Sequence, residues 1–264
     1  VENNTMKGAV LPWSGDADIY QIRTLPWPEL AAKEVLLKVH TCGVAQRDVI
    51  ERKGGHPFMQ YPMIQGHEFA GEVVATGEQV TLWNSGDRAI NLYTDSCGLC
   101  EECLTGDERR CPNMQAAYGL TANGGYAEYV AIHERALVPL LDGLSYLQGA
   151  TLMSAVGVGF NNVKNNARVV AGQDVLVTGA SGGVGVAALQ TANALGARVW
   201  AVTSSANKCD QLLEYGAHQV LVDDGSRFHK LLRADLPAGV DVVIDCVGSP
   251  TLNSSLRCLK PYGK

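Results

Sequence analysis

The sequence predicts an α/β protein in which a β-rich N-terminal half precedes a doubly wound parallel sheet. Up to about Pro139, short runs of Val, Ile, Ala and Tyr alternate with turn-forming residues. After that point, buried-looking strands alternate with helical segments of about 10–15 residues, which is typical of a parallel sheet. We therefore expect a first domain over residues 1–150 and a second over residues 151–264.

The first domain is predicted from apolar segments that are bounded by GG, GHP, NSGD and NGG. These segments predict an irregular, mostly antiparallel β domain. A helix over Leu147–Val163 is expected to bridge to the second domain. The strand segments are MKGAVLP (6–12), EVLLKVHTCGVA (34–45), FAGEVVATG (69–77), DRAINLY (87–93) and YAEYVAI (126–132).

The second domain is predicted from four strands with helices between them. The strands are DVLVTGA (174–180), RVWAVTS (198–204), QVLVDD (219–224) and VDVVIDCVG (240–248). The helices are GVGVAALQTANALGA (183–197), ANKCDQLLEYGA (206–217) and RFHKLLRADL (227–236). A doubly wound dinucleotide-binding sheet normally has about six strands. We therefore expect either a truncated chain or an abbreviated fold, and we favour truncation.

Composition excludes several classes of protein. Of 264 residues, 46% are apolar and 18% charged, which is enough for a buried core and too little charge for a disordered chain. The net charge of −6 argues against a nucleic-acid partner. No run of about 18 apolar residues predicts a membrane span, and no signal segment opens the chain. We expect a cytoplasmic location, or an organellar matrix if a transit peptide preceded Val1.

A glycine-rich turn joins the first strand of the second domain to its first helix. The segment 180–185 reads A-x-G-x-x-G, a variant of the dinucleotide-binding fingerprint, within a strand–turn–helix–strand unit. Such glycines let the backbone approach a pyrophosphate at the helix N-terminus. The alternative is a turn that is tightly packed for structural reasons alone. The predicted cofactor-binding residues here are Gly179, Ser181, Gly182, Gly183, Val184 and Gly185.

The end of the second strand favours NADPH. NAD-binding domains carry a carboxylate there for the ribose hydroxyls, and the segment 202–208 has none. Thr203, Ser204, Ser205 and Lys208 are instead predicted to hold the 2′-phosphate. Alternatively, Ser205 caps the following helix and Lys208 is a surface charge.

Two further groups of residues are predicted from position and spacing. Val247 and Gly248 end the fourth strand, where the nicotinamide ribose is expected. Within a lobe over about residues 95–113, four cysteines follow the spacing C-x2-C-x2-C-x7-C, which predicts a closed structural zinc site. The alternative is a pair of disulfides. The cysteines are Cys97, Cys100, Cys103 and Cys111.

Together, several segments make the chain resemble the medium-chain dehydrogenase/reductase superfamily. They are GVAQRD (43–48), GHEFAGEVVATG (66–77), SGDR (85–88), the four-cysteine lobe, GGYAEYV (124–130), GASGGVG (179–185) and VIDCVG (243–248). The resemblance implies a GroES-like catalytic domain followed by a Rossmann domain, and a homodimer or homotetramer. The pattern is most similar to the acryloyl-CoA reductase and quinone oxidoreductase-like branch.

The resemblance also implies that a catalytic zinc has lost its thiolate ligands. The positions of the two cysteines that hold zinc in alcohol dehydrogenases of this superfamily carry Ala45 and Ser154. The matching histidine and glutamate are present as His67 and Glu68. We predict that these two are vestigial ligands that form a hydrogen-bonded polar pair. An altered but retained metal site is the alternative.

Arg47 and Asp48 are the predicted catalytic residues. Arg47 stands where the superfamily places its proton-relaying hydroxyl, and it is expected to contact a carbonyl or a coenzyme A phosphate. The alternative is an ion pair with Asp48 or Glu68. The function that these residues imply is NADPH-dependent reduction of an activated C=C bond in a small carbonyl compound. A zinc alcohol or aldehyde dehydrogenase with altered ligands, or a silent structural subunit, are the other hypotheses.

Overall fold

The computed structural model describes residues 4–223 and 227–264 of the chain. Its residues divide into two units, one ending at Met153 and the other covering Ser154–Lys264. The predicted fold class is confirmed, because the first unit is β-rich and the second is a parallel sheet flanked by helices. Residue 224, which closes the predicted strand 219–224, lies outside the described residues.

The strands of the first unit pair antiparallel. Their sheet orders are β2-β1-β4, β10-β6-β5-β3-β9 and β7-β8. The strands are β1 (Thr5–Leu11), β2 (Gln21–Pro26), β3 (Glu34–Cys42), β4 (Met63–Ile64), β5 (Phe69–Thr76), β6 (Arg88–Asn91), β7 (Thr94–Asp95), β8 (Ala116–Ala117), β9 (Tyr129–His133) and β10 (Leu137–Pro139).

Residues two apart on neighbouring strands build the core of the first unit. Val35 and Leu37 on β3 are fully buried, and they pack in one cluster with Val130 and Ile132 on β9. The two residues of β3 lie on the same face of the strand, and Leu36 between them is also buried, so this part of β3 is covered on both faces. These strands were predicted from their content of Val, Ile, Ala and Tyr and from the turn residues that bound them.

The first unit also contains short helices, α1 (Gln46–Arg52), α2 (Glu101–Leu104) and α3 (Tyr146–Thr151). Sequence reasoning missed α1, because it continued the preceding strand to Ala45, whereas β3 ends at Cys42. The Asp48 carboxylate accepts a hydrogen bond of 2.8 Å from the N–H of Ala45, the N-cap residue of α1. This bond stabilises the first turn of a helix that is too short to show an apolar repeat.

The predicted bridging helix is longer than expected and irregular. After α3, the chain forms a π-helical turn over Leu152–Val156, then α4 (Gly157–Asn161), then a second π-helical turn over Asn162–Asn166. Pattern reasoning assumes the α-helical period, so it does not anticipate such turns. Among the described residues, no helix is both long and apolar enough to cross a membrane.

The second unit is a parallel sheet in the order β13-β12-β11-β14. Its strands are β11 (Asp174–Thr178), β12 (Arg198–Thr203), β13 (Gln219–Val222) and β14 (Val242–Asp245). Its helices are α5 (Gly183–Ala194), α6 (Cys209–Glu214), α7 (Phe228–Asp235) and α8 (Ser249–Cys258). The strand order changes direction between β11 and β14, which is where ligands bind in doubly wound sheets.

Alternate residues of these strands face two different layers. Val175 and Val177 of β11 pack in one cluster with Leu189 of α5, whereas Leu176 packs in another with Phe228 of α7. All five side chains are fully buried. A sheet covered on both faces needs apolar residues in succession, which explains the continuous apolar run of DVLVTGA.

Asp245, the last residue of β14, connects the sheet to α8. Its carboxylate accepts hydrogen bonds from five donors, and these lower its pKa to about 2 although burial acts in the opposite direction. The donors are the hydroxyls of Thr178, Thr251 and Ser255 and the backbone N–H groups of Val247 and Gly248. A single charged group therefore fixes the loop that precedes α8.

We predict that Asp245→Asn lowers the free energy of unfolding by about 2 kcal/mol at pH 6, because the five hydrogen-bond donors around this side chain then lack a charged acceptor. The folded-state pKa is depressed, so this stabilisation is present above the ordinary pKa of 3.8 and is lost as the pH falls toward about 2. Denaturant titration at pH 6 and pH 2.5 measures the difference. Asp210→Asn, at an exposed position, is the control. If Asp245→Asn lowered the free energy of unfolding by the same amount at both pH values, the prediction would be contradicted.

Candidate active site

The four cysteines of the predicted zinc lobe lie together in the first unit. β7 pairs with β8, so the loop 96–115 returns to its start. The four sulfur atoms lie within 4.8 Å of one another, and all are free thiols. The Sγ–Sγ distance is 3.4 Å between Cys100 and Cys103, 3.9 Å between Cys100 and Cys111, and 4.0 Å between Cys97 and Cys103.

These distances fit a tetrahedral zinc ion. Zn–S bonds of about 2.3 Å in tetrahedral geometry place sulfur atoms about 3.8 Å apart. Gly98 has a φ of +71°, and a Cβ there would lie 1.3 Å from the Arg135 guanidinium. In this turn the Leu99 and Cys100 N–H groups donate to Cys97 Sγ and lower its pKa to about 6. The lobe therefore offers four sulfur ligands and leaves no open position for a substrate.

His67 is buried and pairs with Asp48 rather than with Glu68. His67 Nδ1 lies 3.1 Å from Asp48 Oδ1, whereas His67 Nε2 lies 3.8 Å from Glu68 Oε1, which is too long for a hydrogen bond. The predicted His67–Glu68 hydrogen bond is therefore wrong. Burial raises the pKa of Asp48, but the hydrogen bonds from His67 and Ala45 outweigh burial and hold it below its usual range.

The residues around His67 do not fit a catalytic zinc. Ala45, at the N-cap of α1, offers no ligand atom. The Cys42 thiol makes only a weak contact of 3.6 Å with the Gly43 carbonyl oxygen, and burial raises its pKa. Within residues 4–223 and 227–264, the four-cysteine cluster is the one group of His, Cys, Asp and Glu side chains that converges on a metal position.

Arg47 pairs with a carboxylate that sequence reasoning did not consider. Its Nε lies 2.5 Å from Oε1 of Glu51, one helical turn later, so the alternative of an ion pair with Asp48 or Glu68 is not observed. Its Nη2 donates a hydrogen bond to the Tyr93 hydroxyl. The spacing of four residues on α1 is a signal that could have identified Glu51, but only once α1 was recognised as a helix.

A cavity of about 830 Å³ opens beside Tyr93 in the first unit. Its lining is mostly apolar or uncharged, as is usual for small-molecule sites. Sequence reasoning missed it, because its residues come from separate loops and strand ends. They include His56, Phe58, Met59, Gln60, Tyr93, Met114, Leu120 and Thr121.

The predicted dinucleotide turn has the backbone geometry that a pyrophosphate requires. Gly179 has a φ of +57°, and a Cβ on Gly185 would lie 2.2 Å from the Gly179 carbonyl oxygen. Gly182 is the N-cap of α5 and makes no side-chain capping bond, so the N–H groups of Gly183 and Val184 remain for a ligand. The turn therefore fits a phosphate group that approaches the backbone closely.

The residues predicted to bind the 2′-phosphate fall into two sets. Thr203 is buried, and its hydroxyl meets Ser181 Oγ at 3.3 Å and the Ser205 N–H at 3.2 Å. Ser204, Ser205 and Lys208 are exposed, and Ser205 makes no side-chain capping bond, so the capping alternative is not observed. Thr203 thus shapes the turn that presents the exposed set.

A small cavity lies at the carboxyl ends of the strands of the second unit. It measures about 130 Å³, and its lining includes Gly179, Ser181, Ser204 and Val247. Asp223, which sequence reasoning did not single out, also lines it. The Asp223 carboxylate accepts a hydrogen bond of 3.1 Å from the Arg227 N–H. Five of the predicted cofactor residues therefore line one cavity at the carboxyl ends of the strands, namely Gly179, Ser181, Thr203, Ser204 and Val247, whereas Ser205, Lys208 and Gly248 lie outside its lining.

Comparisons with known proteins assign this arrangement to a family. The Alcohol dehydrogenase GroES-like domain family matches residues 31–142, and the Zinc-binding dehydrogenase family matches residues 183–264. The acryloyl-coenzyme A reductase of Metallosphaera sedula is 36% identical over 260 residues, which are 98% of this chain and 75% of that protein. The chain belongs to the medium-chain dehydrogenase/reductase superfamily.

Solved structures that are similar to this chain agree with this assignment. The crystal structure of AibC has 40% identity and a TM-score of 0.92, covering 99% of this chain and 74% of that one. A zinc-binding dehydrogenase from Sinorhizobium meliloti, bound to NADP, has 30% identity and a TM-score of 0.87, covering 98% and 75%. As a medium-chain dehydrogenase/reductase, the protein is an oxidoreductase that uses a nicotinamide dinucleotide on a small molecule.

We predict that this medium-chain dehydrogenase/reductase binds one zinc ion per chain, in the four-cysteine lobe. Cys103→Ser should remove the metal and lower the melting temperature, because metal binding and folding of the lobe are coupled. Elemental analysis gives the zinc-to-protein ratio, and Cys209→Ser, outside the cluster, is the control. A ratio near two in the wild type would show a second metal site, and a metal-free wild type would contradict the lobe assignment.

Proposed function

We propose that the protein reduces an activated C=C bond with NADPH, in an enone, a quinone or an unsaturated acyl thioester such as acryloyl-CoA. The observation that carries this proposal is a contrast between the two units. The nucleotide turn of the second unit has the geometry that a pyrophosphate needs. In the first unit, Ala45 stands at a position where alcohol oxidation on zinc requires a thiolate ligand.

The residues of the chain have distinct tasks in such a reaction. NADPH, when bound, supplies a hydride to the β-carbon of the substrate. Gly179, Gly185 and the N-terminus of α5 would hold its pyrophosphate, and Val247 and Gly248 its nicotinamide ribose. Overall, the C=C bond, NADPH and one proton give a saturated C–C bond and NADP⁺. The electron pair of the broken π bond passes to the carbonyl oxygen before a proton from water arrives at the α-carbon.

The substrate class is supported by the cavity and by the relatives. The mostly apolar lining suits the hydrocarbon part of an unsaturated acyl group, and the Tyr93 hydroxyl supplies a polar contact. Both the Metallosphaera sedula relative and one from Sulfurisphaera tokodaii, at 34% identity, are acryloyl-coenzyme A reductases. Reduction of a polarised double bond needs hydrogen-bond donors for a developing oxyanion, and it needs no metal.

We predict that the purified protein oxidises NADPH with acryloyl-CoA or an enone and does not reduce NADP⁺ with simple alcohols. Absorbance of the reduced cofactor measures both reactions. Turnover of alcohols without turnover of enones would instead establish an alcohol dehydrogenase with altered zinc ligands. Nucleotide binding without turnover of any substrate in the panel would establish a silent structural subunit.

We also predict that Lys208→Ala weakens NADPH binding about 10- to 100-fold and leaves NADH binding nearly unchanged. A hydrogen bond to a charged phosphate contributes about 1.5–3 kcal/mol, and about 1.4 kcal/mol is tenfold in affinity. Fluorescence titration of both cofactors measures the effect, with Lys230→Ala, an exposed lysine on α7, as the control. Equal weakening for both cofactors would mean that Lys208 does not bind the 2′-phosphate.

A further inference from the structure

A chain of three side chains connects the interior of the first unit to its cavity. Glu51 is 2% exposed, and its carboxylate binds Nε of Arg47. The Arg47 guanidinium carbon lies 4.0 Å from the centre of the Tyr93 ring, and Nη2 donates to the Tyr93 hydroxyl. Tyr93 in turn lines the cavity. The buried carboxylate therefore orients the arginine, and the arginine orients the tyrosine.

This arrangement determines what the Tyr93 hydroxyl can do. A phenolic hydroxyl has one proton to donate and lone pairs that accept. Arg47 can only donate, so it occupies a lone pair of the Tyr93 hydroxyl oxygen and leaves the hydroxyl proton unused. Within residues 4–223 and 227–264, no acceptor receives that proton. The proton is therefore available to a molecule that enters the cavity.

The surroundings keep Tyr93 a neutral donor. Burial raises the pKa of Tyr93, the charge of Arg47 opposes this, and the net shift is upward. The hydroxyl is therefore protonated at neutral pH. Glu51 also meets Gln65 Nε2 at 3.4 Å, so its position is fixed from two sides. Arg47 is thereby held against Tyr93 instead of extending freely into solvent.

We propose that Tyr93 donates a hydrogen bond to the carbonyl oxygen of the substrate, and that Arg47 and Glu51 position and polarise its hydroxyl. This rests on the proposed function and differs from the expectation that Arg47 contacts the carbonyl itself. Tyr93 is then a catalytic residue, whereas Arg47 acts through it as a positioning residue.

The chemical reason is the charge that appears on the substrate. As a C–H bond forms at the β-carbon, the π electrons move to the carbonyl oxygen, which becomes an enolate oxyanion. A donor polarised by a neighbouring guanidinium interacts more strongly with that anion than with the neutral carbonyl of the ground state. Loss of such a donor typically lowers turnover by about 10²–10³-fold.

The first test is Tyr93→Phe, which removes the hydroxyl and keeps the ring. We expect kcat for enone or acryloyl-CoA reduction to fall about 100-fold, while KM and the Kd of NADPH change little. Tyr146→Phe is the matched control, because the Tyr146 ring also lies under an arginine, with Arg88 Cζ 4.8 Å from its centre, and it does not line the cavity. A kcat within twofold of wild type for Tyr93→Phe would overturn the proposal and leave the proposed function standing.

The second test separates positioning from direct contact. Arg47→Gln, which keeps a donor for Glu51, is measured alone and together with Tyr93→Phe. If Arg47 acts through Tyr93, its effect on kcat largely disappears in the Tyr93→Phe background. Effects that multiply in the double variant would overturn the positioning role of Arg47.

The third test uses the wild-type protein and so does not depend on the folding of a variant. A conjugated enone is bound in the presence of NADP⁺, which cannot reduce it. A hydrogen bond to the carbonyl should shift the enone absorbance to longer wavelength, and absence of a shift would overturn the proposal. A wild type that reduces no activated double bond would contradict the proposed function itself, a result distinct from these.

Discussion

The candidate substrate site in the first unit depends on the hydrogen bonds and ion pairs that satisfy two buried carboxylates. Asp48 and Glu51, both on α1, are each 2% exposed. A buried carboxylate without a partner is strongly destabilising. His67 makes a hydrogen bond of 3.1 Å with the first carboxylate, and Arg47 forms an ion pair with the second. Because each contact has a defined geometry, satisfying the two carboxylates also fixes the His67 and Arg47 side chains.

The second unit uses the same principle in a different place. The Asp245 carboxylate gathers five donors at the end of β14 and so holds the loop that carries Val247 and Gly248. Gly179, at the end of β11, lies against Val247, since a Cβ there would meet the Val247 side chain at 2.9 Å. The two strand ends that border the small cavity of this unit are therefore positioned by the carboxylate of Asp245 and by the missing side chain of Gly179.

Features with a periodic or spaced signature were predictable from the sequence. The strands around Val35 and Val175 follow from apolar runs bounded by turn residues, and the glycine turn before α5 and the convergence of four cysteine thiols follow from the spacing of the residues. The short helix α1 and the π-helical turns after α3 have no such signature, because each spans fewer residues than a repeat needs. Local hydrogen bonds determine the conformation of these segments, and such bonds leave no pattern in the sequence.

The candidate site illustrates why contact partners are harder to predict than residues. Arg47 was identified from sequence, but its pairing with Glu51 depends on α1 being a helix, and its contact with Tyr93 joins residues 46 positions apart. No spacing rule connects them. If the Arg47 guanidinium were free in solvent beside the cavity, it would attract any anion in solution. Because it is held between the buried Glu51 carboxylate and the Tyr93 hydroxyl, it acts by polarising that neutral hydroxyl. A neutral, polarised donor suits a substrate oxygen that becomes negative only during the reaction.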